Sequence, residues 1–162
     1  MDEKRAKLTP VMADYLEVIY RLVALDGSAR ARDIGRRLGV SLPTVSRALK
    51  TLAEMDLVAY SPYRTVTLTE RGREEGADVV RRHEALTNFL TTVLLLDPEE
   101  AERDARGMKH ALGEHAMDRL LRFVEFMRFC PRGRARWAEG FAHFCEHGET
   151  GEACRRCIDG KR

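Results

Sequence analysis

Asp14 and Glu17 stand three residues apart, so on a helix both carboxylates project from one face. Hard oxygen donors of this kind, joined by imidazole, suit Mn²⁺ or Fe²⁺. The same Glu17 is also spaced to pair with Arg21 one turn further on. A second group of donors closes the sequence: Cys130, Cys145, Cys154 and Cys157, in the pattern C-x14-C-x8-C-x2-C. Four thiolates satisfy a tetrahedral Zn²⁺ ion or an iron–sulfur cluster. His143 and His147 flank Cys145 as substitute donors. Free thiols or a disulfide are the other readings of these cysteines.

A third group is cationic. The chain has 162 residues and a formal net charge of only +2, with 44% apolar and 33% charged residues. Between residues 28 and 50, however, Arg30, Arg32, Arg36, Arg37, Arg47 and Lys50 face a single acid, Asp33. Such a local surplus is the footprint of a phosphate-contacting face. The elements that carry it read as a helix over 30–38, a turn at Gly39 and a third helix from a Ser41 cap to about Met55. Two strands over 57–60 and 65–69 follow, joined by Ser61-Pro62-Tyr63-Arg64. This order predicts a winged helix-turn-helix, which sets one helix into the major groove of DNA. On that helix Val45, Ala48, Leu49, Leu52 and Ala53 form the apolar face. Ser41, Pro43, Thr44, Ser46, Arg47 and Lys50 form the face suited to base edges and phosphates, and Arg64 at the loop tip reaches for a phosphate or the minor groove.

Around this unit the periodicity is helical. A first helix starts at Thr9-Pro10 and ends at Asp26-Gly27-Ser28, with Leu16, Ile19, Tyr20 and Val23 as its apolar stripe. A long helix from Glu70 to about Leu95 buries Val79, Val80, Leu86, Phe89, Leu90, Val93 and Leu94. Another runs from Asp97-Pro98 to about Leu112, and a further one reaches Phe129 with Leu120, Phe123, Val124 and Met127 facing in. The chain is therefore mainly α. It divides into a DNA-binding domain over 1–72, a helical domain over 73–129 and a Cys-rich tail over 130–162, a segment of a size for which a metal is the usual staple.

The segments LTPVMADYLEVIYRL, VSLPTVSRALKTLAEMDLV and LTERGREEGADVVRRHEALTNFL, with the winged motif between them, resemble the iron- and manganese-dependent repressors of the diphtheria-toxin-repressor and manganese-transport-regulator type. The resemblance covers about residues 8–129. It implies a repressor of iron or manganese homeostasis genes, acting as a homodimer that binds a palindromic operator when an Fe²⁺- or Mn²⁺-like ion is held. It assigns Asp14, Glu17, His83 and His110 as ligands, and the helical domain as the dimerisation and metal-sensing part. The Cys tail stands where some relatives carry an SH3-like extension.

One departure is chemical. Where the family has an anionic ligand one residue and four residues before the last histidine, this chain has Lys109 and Arg106. Arg stays protonated, and Lys must lose its proton to donate. Three arrangements follow. A single ion is held by Asp14, Glu17, His83 and His110, with Glu84 or water completing the shell. Or Lys109 sets its ammonium between Asp14 and Glu17 in the metal's stead. Or both cations face solvent.

Other functions fare worse. No apolar run is long enough to span a membrane, and MDEKRAKLTP has no apolar stretch behind its charges, so a cytoplasmic protein is expected. No His pair with a carboxylate base, Gly-rich phosphate loop or nucleophile elbow is present, so no catalytic residue is assigned and an enzyme is not expected. Two alternatives stay open: a regulator of the same fold that senses iron or redox state through the Cys tail, and a zinc-stapled module that binds a protein partner.

Overall fold

The structure, a computed structural model, describes residues 8–61, 64–129, 134–149 and 151. The chain divides into two compact units, residues 1–81 and 82–162, and the division falls inside a long helix.

In the first unit, α1 (Pro10–Asp26) starts where Thr9 caps it, its hydroxyl accepting the Met12 N–H at 3.3 Å, with Pro10 at the first helical position. It stops at Gly27, whose φ of 74° lets its N–H reach the Val23 carbonyl at 2.8 Å. Helices α2 (Ala31–Leu38) and α3 (Leu42–Glu54) are joined through Gly39, also left-handed at φ 67°. Leu16 and Ile19 of α1, Ile34 of α2, and Val45, Leu49 and Leu52 of α3 are wholly buried together, each stabilising the unit by roughly 1.5–3 kcal/mol. Tyr15 and Leu22 join them, outside the expected stripe. Burial pushes the Tyr15 phenol up, and its Oη has no hydrogen-bond partner among the described residues.

Ser41 does occupy the cap position of α3 but makes no bond to the helix backbone. Its Oγ lies 2.9 Å from the Thr44 hydroxyl instead of accepting the N–H of the third helical residue.

The wing is smaller than the sequence predicts. β1 (Val58–Ala59) and β2 (Thr67–Leu68) pair antiparallel, Val58 opposite Leu68 and Ala59 opposite Thr67. Helix ends cut both strands short. The Leu57 N–H is still bonded to Leu52 of α3 at 2.9 Å, and Thr69 already caps α4 (Glu70–Thr92) through the Gly72 N–H at 2.9 Å. A bridge between Ala29 and Val66, with bonds of 2.8 and 2.7 Å, adds the segment before α2 to the sheet.

The start of α4 is pinned to the end of α3 and to the wing. The Thr69 hydroxyl donates to the Asp56 carbonyl at 2.7 Å, Arg71 to the Met55 carbonyl at 3.0 Å, and Arg73 to the Leu68 carbonyl at 3.2 Å. Asp56 sits at φ 58°, a left-handed conformation that Asp accepts more readily than most residues. Gly72 faces the Leu57 carbonyl so closely that a Cβ there would lie 1.8 Å from the oxygen.

In the second unit, Leu86 and Leu90 of α4 pack with Ala101 and Ala105 of α5 (Pro98–Ala111) and Met117 of α6 (Glu114–Phe129). Asp97 caps α5, its Oδ1 accepting the Glu99 N–H at 2.8 Å, and Lys109 and His110 lie in the last turn, where cations suit the helix dipole. Leu94 and Phe123, expected inside, are 37% and 39% exposed. Leu94 lies past the end of α4, and Phe123 is covered on one side by an edge-to-face contact with Phe89, ring centres 6.1 Å apart. α7 (Arg134–His147) follows. Among the described residues no helix is long and apolar enough to cross a membrane.

Candidate DNA interface and metal-ligand residues

The two faces of α3 divide as the sequence predicts. Val45, Ala48, Leu49 and Leu52 are buried, whereas Ser41, Pro43, Thr44, Arg47 and Lys50 are exposed and Ser46 is half-buried. The Thr51 hydroxyl bonds back to the Arg47 carbonyl at 3.3 Å. Arg30, Arg32, Arg36 and Arg37 are also exposed; Arg36 is drawn to Asp33 at 3.7 Å, a loose i,i+3 pair of little energetic weight. Arg64 is exposed beside the wing loop, whose Pro62 and Tyr63 lie outside the described residues. A rigid, partly apolar helix with short hydroxyls and two cations outward has the chemistry to read base edges and hold phosphates.

The ligand candidates fall in both units. On α1, Asp14 is half-buried and Glu17 is 8% exposed, with Glu17 Oε1 taking the Arg21 Nε–H at 3.2 Å. The i,i+4 pair weighed from the sequence is thus formed. On α4, His83 is only 2% exposed; its Nε2 lies 2.9 Å from Glu102 Oε1 of α5, and its Nδ1 is buried without a hydrogen-bond partner among the described residues. His110 and Lys109 are half-buried, and Glu84 is exposed. Arg106 is turned back along α5, its Nη2 3.5 Å from the same Glu102 oxygen, rather than released into solvent alone.

Glu102 is the residue that sequence reasoning missed. Burial pushes its carboxyl up, but the hydrogen bond and charge of His83, and then Arg106, outweigh burial and hold it below the ordinary value. The one legible hint was Arg106 four residues further along the same helix. Nothing local links residues 83 and 102.

On α7, Cys145 is an exposed free thiol, and the His143 and His147 rings stack 4.3 Å apart. Each of these rings has Nδ1 near a backbone carbonyl, His143 at Glu149 and His147 at His143. Cys130, Cys154 and Cys157 lie outside the described residues. Among the described residues no three His, Cys, Asp or Glu side chains are grouped closely enough to hold an ion.

A winged helix-turn-helix with a polar, cationic third helix, continued by a long helix into a helical unit, defines a DNA-binding transcriptional regulator. Residues 7–66 match the iron-dependent repressor N-terminal DNA-binding domain, and residues 69–138 match the iron-dependent repressor metal-binding and dimerisation domain. The chain is 40% identical over 122 residues to the transcriptional regulator MntR of Escherichia coli O6:H1, covering 75% of this chain and 78% of the relative. It is 35% identical over 118 residues to the HTH-type transcriptional regulator MntR of Bacillus subtilis 168, covering 73% of this chain and 82% of that one. Among solved structures, the manganese regulator SloR superposes with a TM-score of 0.63 at 28% identity, over 74% of this chain and 56% of that chain. A manganese-dependent transcriptional repressor in complex with manganese gives 0.63 at 32% identity, over 71% and 53%. The chain thus spans little more than half the length of these two solved relatives. The chain belongs to the iron-dependent repressor family of metal-dependent transcriptional regulators. That class is not an enzyme class.

The family implies a divalent metal ion, and the donors present fit one by type: two carboxylates and two imidazoles. The orphaned Nδ1 of His83 fits as well. A buried ring nitrogen with no partner carries a desolvation cost that a bound cation removes. Arg106 does not fit as a ligand, since its guanidinium has no lone pair to give.

Proposed function

We propose that this chain represses transcription as a homodimer on a palindromic operator and that a Mn²⁺- or Fe²⁺-like ion, held by Asp14, Glu17, His83 and His110, controls its affinity for DNA. The observation that carries the reading is the outward face of α3. Ser41, Pro43, Thr44, Ser46, Arg47 and Lys50 stand on one side of a helix whose other side is the core of the first unit, and Arg64 supports them from the wing. In such folds the recognition helix reads bases while neighbouring cations fix the register on phosphate, and two-fold symmetry of the protein is mirrored in the operator.

The ion supplies positive charge to the carboxylates and a fixed geometry to the imidazoles. The chain's own part is to present the donor atoms: Asp14 and Glu17 on one helix face, His83 with Nδ1 unspent among the described residues, and His110 at the end of α5. The solved relatives are a manganese regulator and a manganese-dependent repressor, which makes Mn²⁺ the first probe. Arg106 and Lys109 in place of anionic ligands favour a single ion, because a second would lack the charge to balance it. The tail extends the proposal: Cys130, Cys145, Cys154 and Cys157 have spacing suited to a Zn²⁺ or iron–sulfur staple.

Equilibrium dialysis against Mn²⁺ tests the ligand set. The intact chain is expected to bind about one Mn²⁺ at the sensor residues, and Asp14→Ala or His110→Ala to weaken that binding by at least tenfold with the helical circular dichroism unchanged. Undiminished Mn²⁺ affinity in both variants rules these residues out as ligands.

A further inference from the structure

His83, Glu102 and Arg106 form a three-membered chain of contacts in the second unit. His83 Nε2 is 2.9 Å from Glu102 Oε1, and Arg106 Nη2 is 3.5 Å from that same oxygen. The Thr87 hydroxyl donates to the His83 carbonyl at 3.1 Å and lies 3.5 Å from the other Glu102 oxygen. The imidazole is all but wholly buried, and its Nδ1 has no partner among the described residues. The carboxylate, by contrast, is half exposed, with the Arg106 guanidinium beside it.

From this geometry we infer that Glu102 is the positioning residue for His83: it fixes the ring in the Nε2–H tautomer and leaves Nδ1 as the open donor, while Arg106 keeps Glu102 itself out of any ligand shell. A carboxylate only accepts hydrogen bonds, so the proton between the two groups belongs to Nε2. In the neutral ring the lone pair then sits on Nδ1, the atom the protein leaves unpartnered. A ligating histidine whose other nitrogen is held by a carboxylate is a recurrent arrangement, because the carboxylate sets the tautomer and raises the basicity of the donor. Arg106 completes it. A cation one turn along α5, 3.5 Å from Glu102 Oε1, offsets the Glu102 charge, so the carboxylate competes less with His83 for a metal ion. The residue that looks like a broken ligand is, in this account, the counter-ion of a residue that aims one.

The inference rests on the reading of His83 as a ligand, but its first readout does not need the metal. Long-range ¹H–¹⁵N correlation of the metal-free protein labelled at histidine, with the His83 signals identified by their loss in His83→Gln, reports which ring nitrogen is protonated. The expected spectrum has a protonated Nε2 and a bare Nδ1 in the intact chain and in Glu102→Gln, whose carbonyl still accepts, but a tautomer mixture in Glu102→Ala. Mn²⁺ affinity is expected to fall about 10–100-fold in Glu102→Ala and to stay within about threefold in Glu102→Gln. A protonated Nδ1 in the intact chain, or a His83 spectrum unmoved in Glu102→Ala, overturns the inference. If the spectra behave as expected but the intact chain takes up no Mn²⁺, the assignment of His83 to the metal site fails and the role of Glu102 in setting the tautomer stands.

Discussion

Gly72→Ala is expected to cost the first unit about 3 kcal/mol and to lower its urea midpoint accordingly. The added Cβ would lie 1.8 Å from the Leu57 carbonyl oxygen and 2.8 Å from its carbon, and both are backbone atoms with no rotamer to retreat into. Overpacking typically costs about 1–3 kcal/mol, and the upper end applies where backbone must move. Here the same carbonyl also accepts the Thr69 N–H at 3.2 Å, and Thr69 caps α4 through Gly72 itself, so a shift loosens the wing and the helix start together. Against a total stability of about 5–15 kcal/mol for an ordinary domain, that is a large share. Gly107→Ala is the matching control. It lies inside α5 with nothing within 4 Å of its would-be Cβ, so alanine there is expected to stabilise by about 0.4–1 kcal/mol. Equal effects at the two positions in urea titration contradict the packing assigned to Gly72.

The second large effect concerns DNA. Arg47→Ala is expected to weaken binding to the operator by about 1–3 kcal/mol, tenfold or more, while binding to random duplex falls far less. Arg47 is exposed on α3 opposite Val45, Ala48 and Leu49, and its substitution leaves the buried face untouched. A cation that only met phosphate would weaken both duplexes alike and reduce the salt dependence by about one counterion. Fluorescence anisotropy with both duplexes at two salt concentrations separates the cases, and parallel losses on operator and random DNA argue against base reading by Arg47.

Local signals carried most of the fold. Thr9-Pro10 and Asp97-Pro98 mark helix starts because a short oxygen caps and a proline has no amide to waste, and Gly27 and Gly39 mark helix ends because both sit at positive φ. The buried face of α3 followed from its 3.6-residue period. What stayed hidden depends on partners distant in sequence. Strand lengths were overestimated because β-branched content says nothing of the helix ends that claim Leu57 and Thr69. The Ala29–Val66 bridge joins a loop to a strand with no local mark on Ala29. Gly72 carried a weak signal, a poor helix former in a first turn, but its close approach to Leu57 is a tertiary fact.

The candidate site shows the same division. Asp14 and Glu17 were legible as an i,i+3 pair, and the Glu17–Arg21 contact as an i,i+4 one. His83 and His110 were singled out by resemblance alone. Arg106 stands out in the sequence as a cation where the family has an anionic ligand. Its position on Glu102, and the hold of Glu102 on His83, required α4 and α5 to be seen side by side in the second unit.

The central claim is that a divalent metal sets the DNA affinity of this regulator. The most direct measurement is fluorescence anisotropy of the intact chain on a duplex selected from a randomised pool in the presence of Mn²⁺, repeated after addition of a chelator. The account predicts a palindromic consensus from the selection, tight binding with Mn²⁺, and a drop to the level of random DNA once the ion is removed. Equal affinity for the selected duplex with and without the chelator would contradict it.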